Sequence, residues 1–164
     1  MPDILGMNGE NEYNEVIILQ AKEYLDAIRA IKHRLQVADK ELDEARKTIY
    51  SLQAVDFSKD KVDGGEHTDL SNKIEQAEKI VAKVEAHKRH LVEMREEARE
   101  RINALPDFDV QSILTDYAIN VTPIWEMCKN YHYSRSGYNK RFKKAIACFQ
   151  KNYADWLENL DFFG

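Results

Sequence analysis

Seven cationic side chains and one carboxylate fall between Asn120 and Lys151: Lys129, Arg135, Lys140, Arg141, Lys143, Lys144 and Lys151 against Glu126. Ammonium and guanidinium groups at this density suit phosphate oxygens, and Arg and Asn among them suit the edges of bases. The segment has a local net charge of +6 in a chain of 164 residues with a formal net charge of −5, which leaves −11 for the remainder. A basic module on an acidic carrier fits nucleic-acid binding at one place, whereas the plainer alternative is a solvated helix face.

Other chemistries find less support. His87 and His90 are three residues apart, a spacing that can share a metal on a helix, but Lys88 and Arg89 between them repel a cation and no third ligand is near. Cys128 and Cys148 have no Cys-x-x-Cys spacing and fall on apolar helical stripes, which predicts buried, reduced thiols. Gly64-Gly65 lacks the lysine and preceding strand of a phosphate-binding loop. No Ser/His/Asp or Cys/His set stands out, and the carboxylates lie on helical outer faces among basic residues. The expectation is a protein that is not an enzyme, without cofactor or metal.

The elements around the basic segment are short helices. Thr122 is placed to cap one, with Pro123 at its first position, and Ile124, Met127, Cys128 and Tyr131 recur at helical spacing. Ser134 is placed to cap a second, on which Tyr138, Phe142, Ala145, Ile146 and Phe149 form one apolar stripe. A first helix, a tyrosine-bearing turn and a second helix with a basic outer face make a helix-turn-helix pattern. On it, Arg135, Ser136, Asn139 and Lys140 are candidates for base edges, and Lys129, Arg141, Lys143, Lys144 and Lys151 for phosphates.

This segment resembles the fourth region of bacterial sigma factors. The matching residues are Trp125-Glu126-Met127-Cys128, Tyr133-Ser134-Arg135 at the turn, Tyr138, Ala145-Ile146 and Phe149. With the preceding helices, roughly Ala21 to Lys151 resembles the RinA/ArpU-type transcriptional regulators of phages and prophages of Gram-positive bacteria. The resemblance implies promoter binding, contact with host RNA polymerase and activation of late genes. Two positions depart from the pattern. His132 stands where the family usually has a glycine, and Gly137 lies inside the recognition helix, where glycine costs about 1 kcal/mol relative to alanine.

Two long helices precede this module. From Ile17 through Ala21, Tyr24, Ile28, Ile31, Leu35, Ala38, Leu42, Ala45 and Ile49 to Leu52, apolar or small residues recur in alternating steps of four and three. The same rhythm runs from Leu70 through Ile74, Ala77, Val81, Val84, Leu91, Ala98 and Ile102 to Leu105, with Lys88 and Arg95 interrupting it and Ile80, His87 and Met94 offering a displaced stripe. Two such seams predict an antiparallel coiled-coil hairpin over 15–105, with a loop over 53–68 around Gly64-Gly65 and a cap at Thr68 or Asp69. Segment 1–14 reads as disordered. Pro106 ends the hairpin, and Asp107 or Asp109 is placed to cap a helix carrying Val110, Ile113, Leu114, Tyr117 and Ala118, which opens a helix-turn-helix domain over 106–164. Tyr153, Trp156, Leu157 and Leu160 have helical spacing and continue the last helix, and Phe162 and Phe163 at its end either tuck onto the domain or belong to a self-association or partner surface. No apolar run approaches the roughly 18 residues of a membrane span, and no signal peptide is evident.

The predicted fold class is therefore all-α, a hairpin followed by a helix-turn-helix domain. The leading functional expectation is a cytoplasmic regulator in a bacterial host, with double-stranded DNA and host RNA polymerase as partners and no membrane association. The alternatives are a coiled-coil interaction protein and a packaging component of the small-terminase kind. Either seam can be covered within one chain or between two copies, so a homodimer stays open.

Overall fold

A computed structural model describes residues 7–58 and 66–160, with side chains over 20–55 and 69–160. Among the described residues every regular element is helical: α1 (Met7–Ser58), α2 (Glu66–Asn103), α3 (Phe108–Leu114), a π-helical turn (Thr115–Asn120), α4 (Ile124–Asn130) and α5 (Arg135–Glu158). No described helix is long and apolar enough to cross a membrane.

By contacts the chain divides into two compact units. One comprises residues 33–93, and the other joins 1–32 to 94–164. The division therefore does not fall at residue 105, because parts of both long helices pack with the C-terminal elements. In the 33–93 unit α1 and α2 lie antiparallel against each other, as the ion pairs Lys88–Asp39 and Arg46–Glu85 (3.0 Å) require. Ala38, Leu42, Ala77 and Leu91 are buried between them. The seam stays on the 4-3 positions, since Ile80 and His87 are exposed. Lys88, at a seam position, is half-buried and ends on Asp39, so its stem covers apolar surface while its ammonium group is paired.

The ends of the hairpin helices differ from expectation. α1 continues through Gln53–Ser58, which holds neither Gly nor Pro, and α2 starts at Glu66, directly after Gly64-Gly65. Neither Thr68 nor Asp69 is the cap. Glu66, in the first turn of α2, suits the positive end of the helix dipole. α1 also begins at Met7, inside the segment expected to be disordered. Gly64-Gly65, Phe162 and Phe163 lie outside the described residues.

In the other unit, Ala21, Tyr24, Leu25, Ile28 and Ile31 of α1 and Ala98 and Ile102 of α2 are buried, as are Val110, Ile113 and Leu114 of α3 and Tyr138, Ala145, Ile146 and Phe149 of α5. Asp107 caps α3, accepting hydrogen bonds from the N–H groups of Asp109 (2.9 Å) and Val110 (3.3 Å). The helix expected through Ala118 changes at Thr115 into the π-helical turn. There Tyr117, Ala118 and Ile119 are buried in succession, so packing surrounds this turn rather than flanking one stripe. Val121 ends it in the left-handed region (φ 59°), with its N–H on the Asp116 carbonyl.

The carbonyl end of the π-helical turn is held by cations. Arg29 donates to the Tyr117 carbonyl and to that of Thr122 (3.5 Å), Lys32 to that of Asn120 (3.4 Å), and Arg95 to that of Ile119 (2.7 Å). The Arg29 guanidinium also lies 4.6 Å from the Tyr117 ring centre. Tyr117 donates its hydroxyl hydrogen bond to Asp26.

Leu91 is 1% exposed, so Leu91→Asp should cost at least about 3–5 kcal/mol and abolish the thermal transition, while Leu35→Asp, at a half-buried seam position, should cost less. A second expectation concerns pH. Burial first, and then a hydrogen bond to a carboxylate, raise the phenol pKa of Tyr117 (with Asp26) and Tyr131 (with Asp116) above the ordinary value of 10.0. A raised folded-state pKa contributes stability that is complete below the unfolded value and is lost as pH rises through the folded one. Denaturant titrations should therefore find stability falling above about pH 10, and Tyr131→Phe should flatten that fall.

Candidate nucleic-acid interface

α4 starts one residue later than the capping pattern suggests. Pro123 is its N-cap, with the N–H groups of Glu126 and Met127 on the Pro123 carbonyl, and no side chain caps it. Thr122 is instead committed to the preceding turn, through its N–H to the Asp116 carbonyl (2.9 Å). Met127 is fully buried, and its sulfur accepts from the Tyr138 hydroxyl at 3.6 Å.

The turn closes α4 with a Schellman motif. The N–H of Tyr133 reaches the Cys128 carbonyl at 2.9 Å and that of His132 reaches the Lys129 carbonyl at 3.3 Å. His132 occupies the position that this motif places in the left-handed region, at φ 56°. That is the backbone reason for a glycine there, and histidine holds the same conformation at a cost. Ser134 caps α5 by accepting from the Gly137 N–H at 3.0 Å. A Cβ on Gly137 would stand 3.2 Å from the Ser134 oxygen, so the glycine lies tight under its own cap.

On α5, Tyr138, Ala145, Ile146 and Phe149 are buried and Phe142 is half-buried, as the stripe predicts. Arg135, Ser136, Asn139, Lys140, Arg141, Lys143, Lys144 and Lys151 are all exposed. At about 100° per residue, Ser136, Lys140, Lys143, Lys144 and Lys151 fall on the side away from the buried stripe, with Asn139 on one flank and Arg141 on the other. Lys129 is exposed on the last turn of α4. Lys144 and Arg141 make contacts with neighbouring side chains. Lys144, largely exposed, approaches the half-buried Asp107 at 3.9 Å, a pair worth little in water. The Arg141 guanidinium lies 4.3 Å from the centre of the Tyr133 ring.

Three features of this region escaped the sequence pattern: the π-helical turn, the cationic clamp on it, and the hydrogen bond from the Tyr131 hydroxyl to the Asp116 carboxylate at 2.6 Å. Arg95 was the available signal, a charge at a seam position with no apolar reason to be there. His87 and His90 are exposed, and among the described residues no cluster of three metal-ligating side chains forms. Cys128 and Cys148 are free thiols and half-buried rather than fully buried.

The turn itself is open to measurement. His132→Gly should raise stability by about 0.5–1 kcal/mol, and His132→Val should lower it by at least as much, because a β-branched residue resists positive φ. Urea midpoints at constant slope would report both.

A family described as Protein of unknown function (DUF1492) has a model that matches residues 51–150, more than half of the chain. The match takes in α2, α3, the π-helical turn, α4 and α5 as far as Gln150. No curated protein and no solved structure matches the chain.

Proposed function

This chain belongs to the family described as Protein of unknown function (DUF1492), and we propose that within it the chain is a DNA-binding transcription regulator whose α5 enters the major groove of duplex DNA. One observation carries the reading: α5 is apolar and buried along one side and carries Lys140, Lys143, Lys144 and Lys151 along the other. A solvated structural helix gains nothing from cations of a single sign along about three turns, whereas a phosphate-lined groove attracts them. The short α4, the Schellman turn and the Ser134 cap supply the frame of a helix-turn-helix.

In this reading the first turns of α5 face base edges. Arg135 suits the O6/N7 edge of guanine and Asn139 the N6/N7 edge of adenine, with Ser136 and Lys140 beside them. Lys129, Lys143, Lys144 and Lys151 meet phosphates and set the register without reading sequence. The acidic remainder of the chain disfavours non-specific spread along DNA. The resemblance of Ala21 to Lys151 to phage regulators extends the proposal to a promoter, with host RNA polymerase as a second partner and late-gene activation as the outcome.

A binding titration at several salt concentrations tests this, using a site selected from random duplexes. Arg135→Ala should cost roughly 1–3 kcal/mol on the preferred site and relax base choice there. Lys143→Ala should weaken all duplexes alike and make the salt slope shallower by about one unit. Neither residue is buried, so melting should stay near the parent's. If both folded variants bind as the parent does, with and without polymerase, the groove assignment fails.

A further inference from the structure

We propose that Arg141 is a positioning residue of the helix-turn-helix, holding the turn against α5 through Tyr133, rather than a phosphate contact. The inference rests on the DNA-binding reading and assigns one of its cations a different task.

Four side chains form an unbroken line. Asp116, in the π-helical turn, accepts from the Tyr131 hydroxyl at 2.6 Å and from the Asn120 side chain at 2.8 Å. The Tyr131 ring stacks on Tyr133, with centroids 5.8 Å apart and planes 12° from parallel. The Arg141 guanidinium lies 4.3 Å from the centre of the Tyr133 ring. The line thus begins before α4, crosses the turn and ends on the second turn of α5. It braces a segment that needs bracing, since His132 sits at φ 56° between the two stacked rings, a conformation that costs a non-glycine residue free energy.

Position separates Arg141 from the other cations. Lys140 and Lys144 project away from the buried stripe, while Arg141, from the same helix, falls on the flank nearer the turn. Its planar, weakly hydrated group suits stacking on an aromatic face in a way that an ammonium group does not. The stack keeps Tyr133 half-buried in a turn where its neighbours His132 and Ser134 are exposed. Arginine here sets the angle at which Arg135 and Asn139 meet the groove, although it contributes no contact of its own.

The two roles give opposite results when charge is kept and planarity removed. On duplex DNA, Arg141→Lys and Arg141→Ala should both bind about two- to fivefold more weakly than the parent, at an unchanged salt slope. Tyr133→Phe should bind as the parent does. Tyr133→Ala should reproduce the loss, and adding Arg141→Ala to it should cause no further loss. Without DNA, amide exchange over Tyr131–Tyr133 should quicken in Arg141→Ala while the buried part of α2 around Ala98 and Ile102 keeps the parent's rates. A parent-like Arg141→Lys, a slope shallower by about one unit in Arg141→Ala, or additive losses in the double variant would overturn the inference in favour of a phosphate contact. If the parent binds no duplex, the groove reading fails separately, and the exchange rates decide whether Arg141 holds the turn: faster exchange supports it, unchanged exchange overturns it.

Discussion

The unit that carries the basic helix depends on the carbonyl end of one irregular turn. A helix end leaves acceptors without intrahelical partners, and burying them unpaired costs free energy. At Thr115–Asn120 the packing buries Tyr117, Ala118 and Ile119 in succession, so the end of the turn cannot simply face water. Arg29 and Lys32 from α1 and Arg95 from α2 supply the donors, and their charges oppose the negative end of the turn's dipole. Val121 can then reverse the chain at positive φ and start α4 in a defined direction.

From Val121 onward the chain is a relay of local constraints, each resting on the one before. Asp116 holds Tyr131 and the Thr122 N–H, the Schellman bonds place His132, and Ser134 starts α5. At its far end α5 is anchored in aromatic packing: Phe149 stacks on Tyr24, the Trp156 ring meets Tyr24 edge-on, and Arg101 lies 3.7 Å from the Trp156 ring centre. Gln150, buried, accepts from the Ala21 N–H at 3.0 Å. Tyr153 leaves helical geometry (φ −127°) and donates to the Arg101 carbonyl at 2.7 Å, a local bend whose cost this contact offsets. With both ends fixed, the lysines of the outer side of α5 are displayed on an element anchored at each end.

The 33–93 unit works by different physics. Its two helices cover each other along a 4-3 seam in which Ala38, Leu42, Ala77 and Leu91 are buried, while Ala45, Ile49, Leu52, Ile74, Val81 and Val84 are only half-buried. Two helices alone cannot enclose a core, so long side chains and paired charges such as Arg46–Glu85 line its margins instead.

Periodicity made the helices and their seams readable in advance, because a stripe repeating every three or four residues has one way to hide from water. The same reasoning exposed the basic side of α5, the Ser134 and Asp107 caps and the Pro106 stop, all set by residues near in sequence. Helix ends were less legible: α1 runs through Ser58 and α2 begins at Glu66, whereas the polar residues and dispersed apolar ones of 53–68 resemble a single loop in sequence. The conversion of α3 into a π-helical turn could not be read, since Thr115–Asn120 has no sequence mark of its own and the widened turn is stabilised by Arg29 and Arg95, 88 and 24 residues from the carbonyls they meet. Arg141 shows the same limit on the surface. Composition makes it one cation among seven, and only the turn folding back beneath it gives that guanidinium a tyrosine ring to lie on.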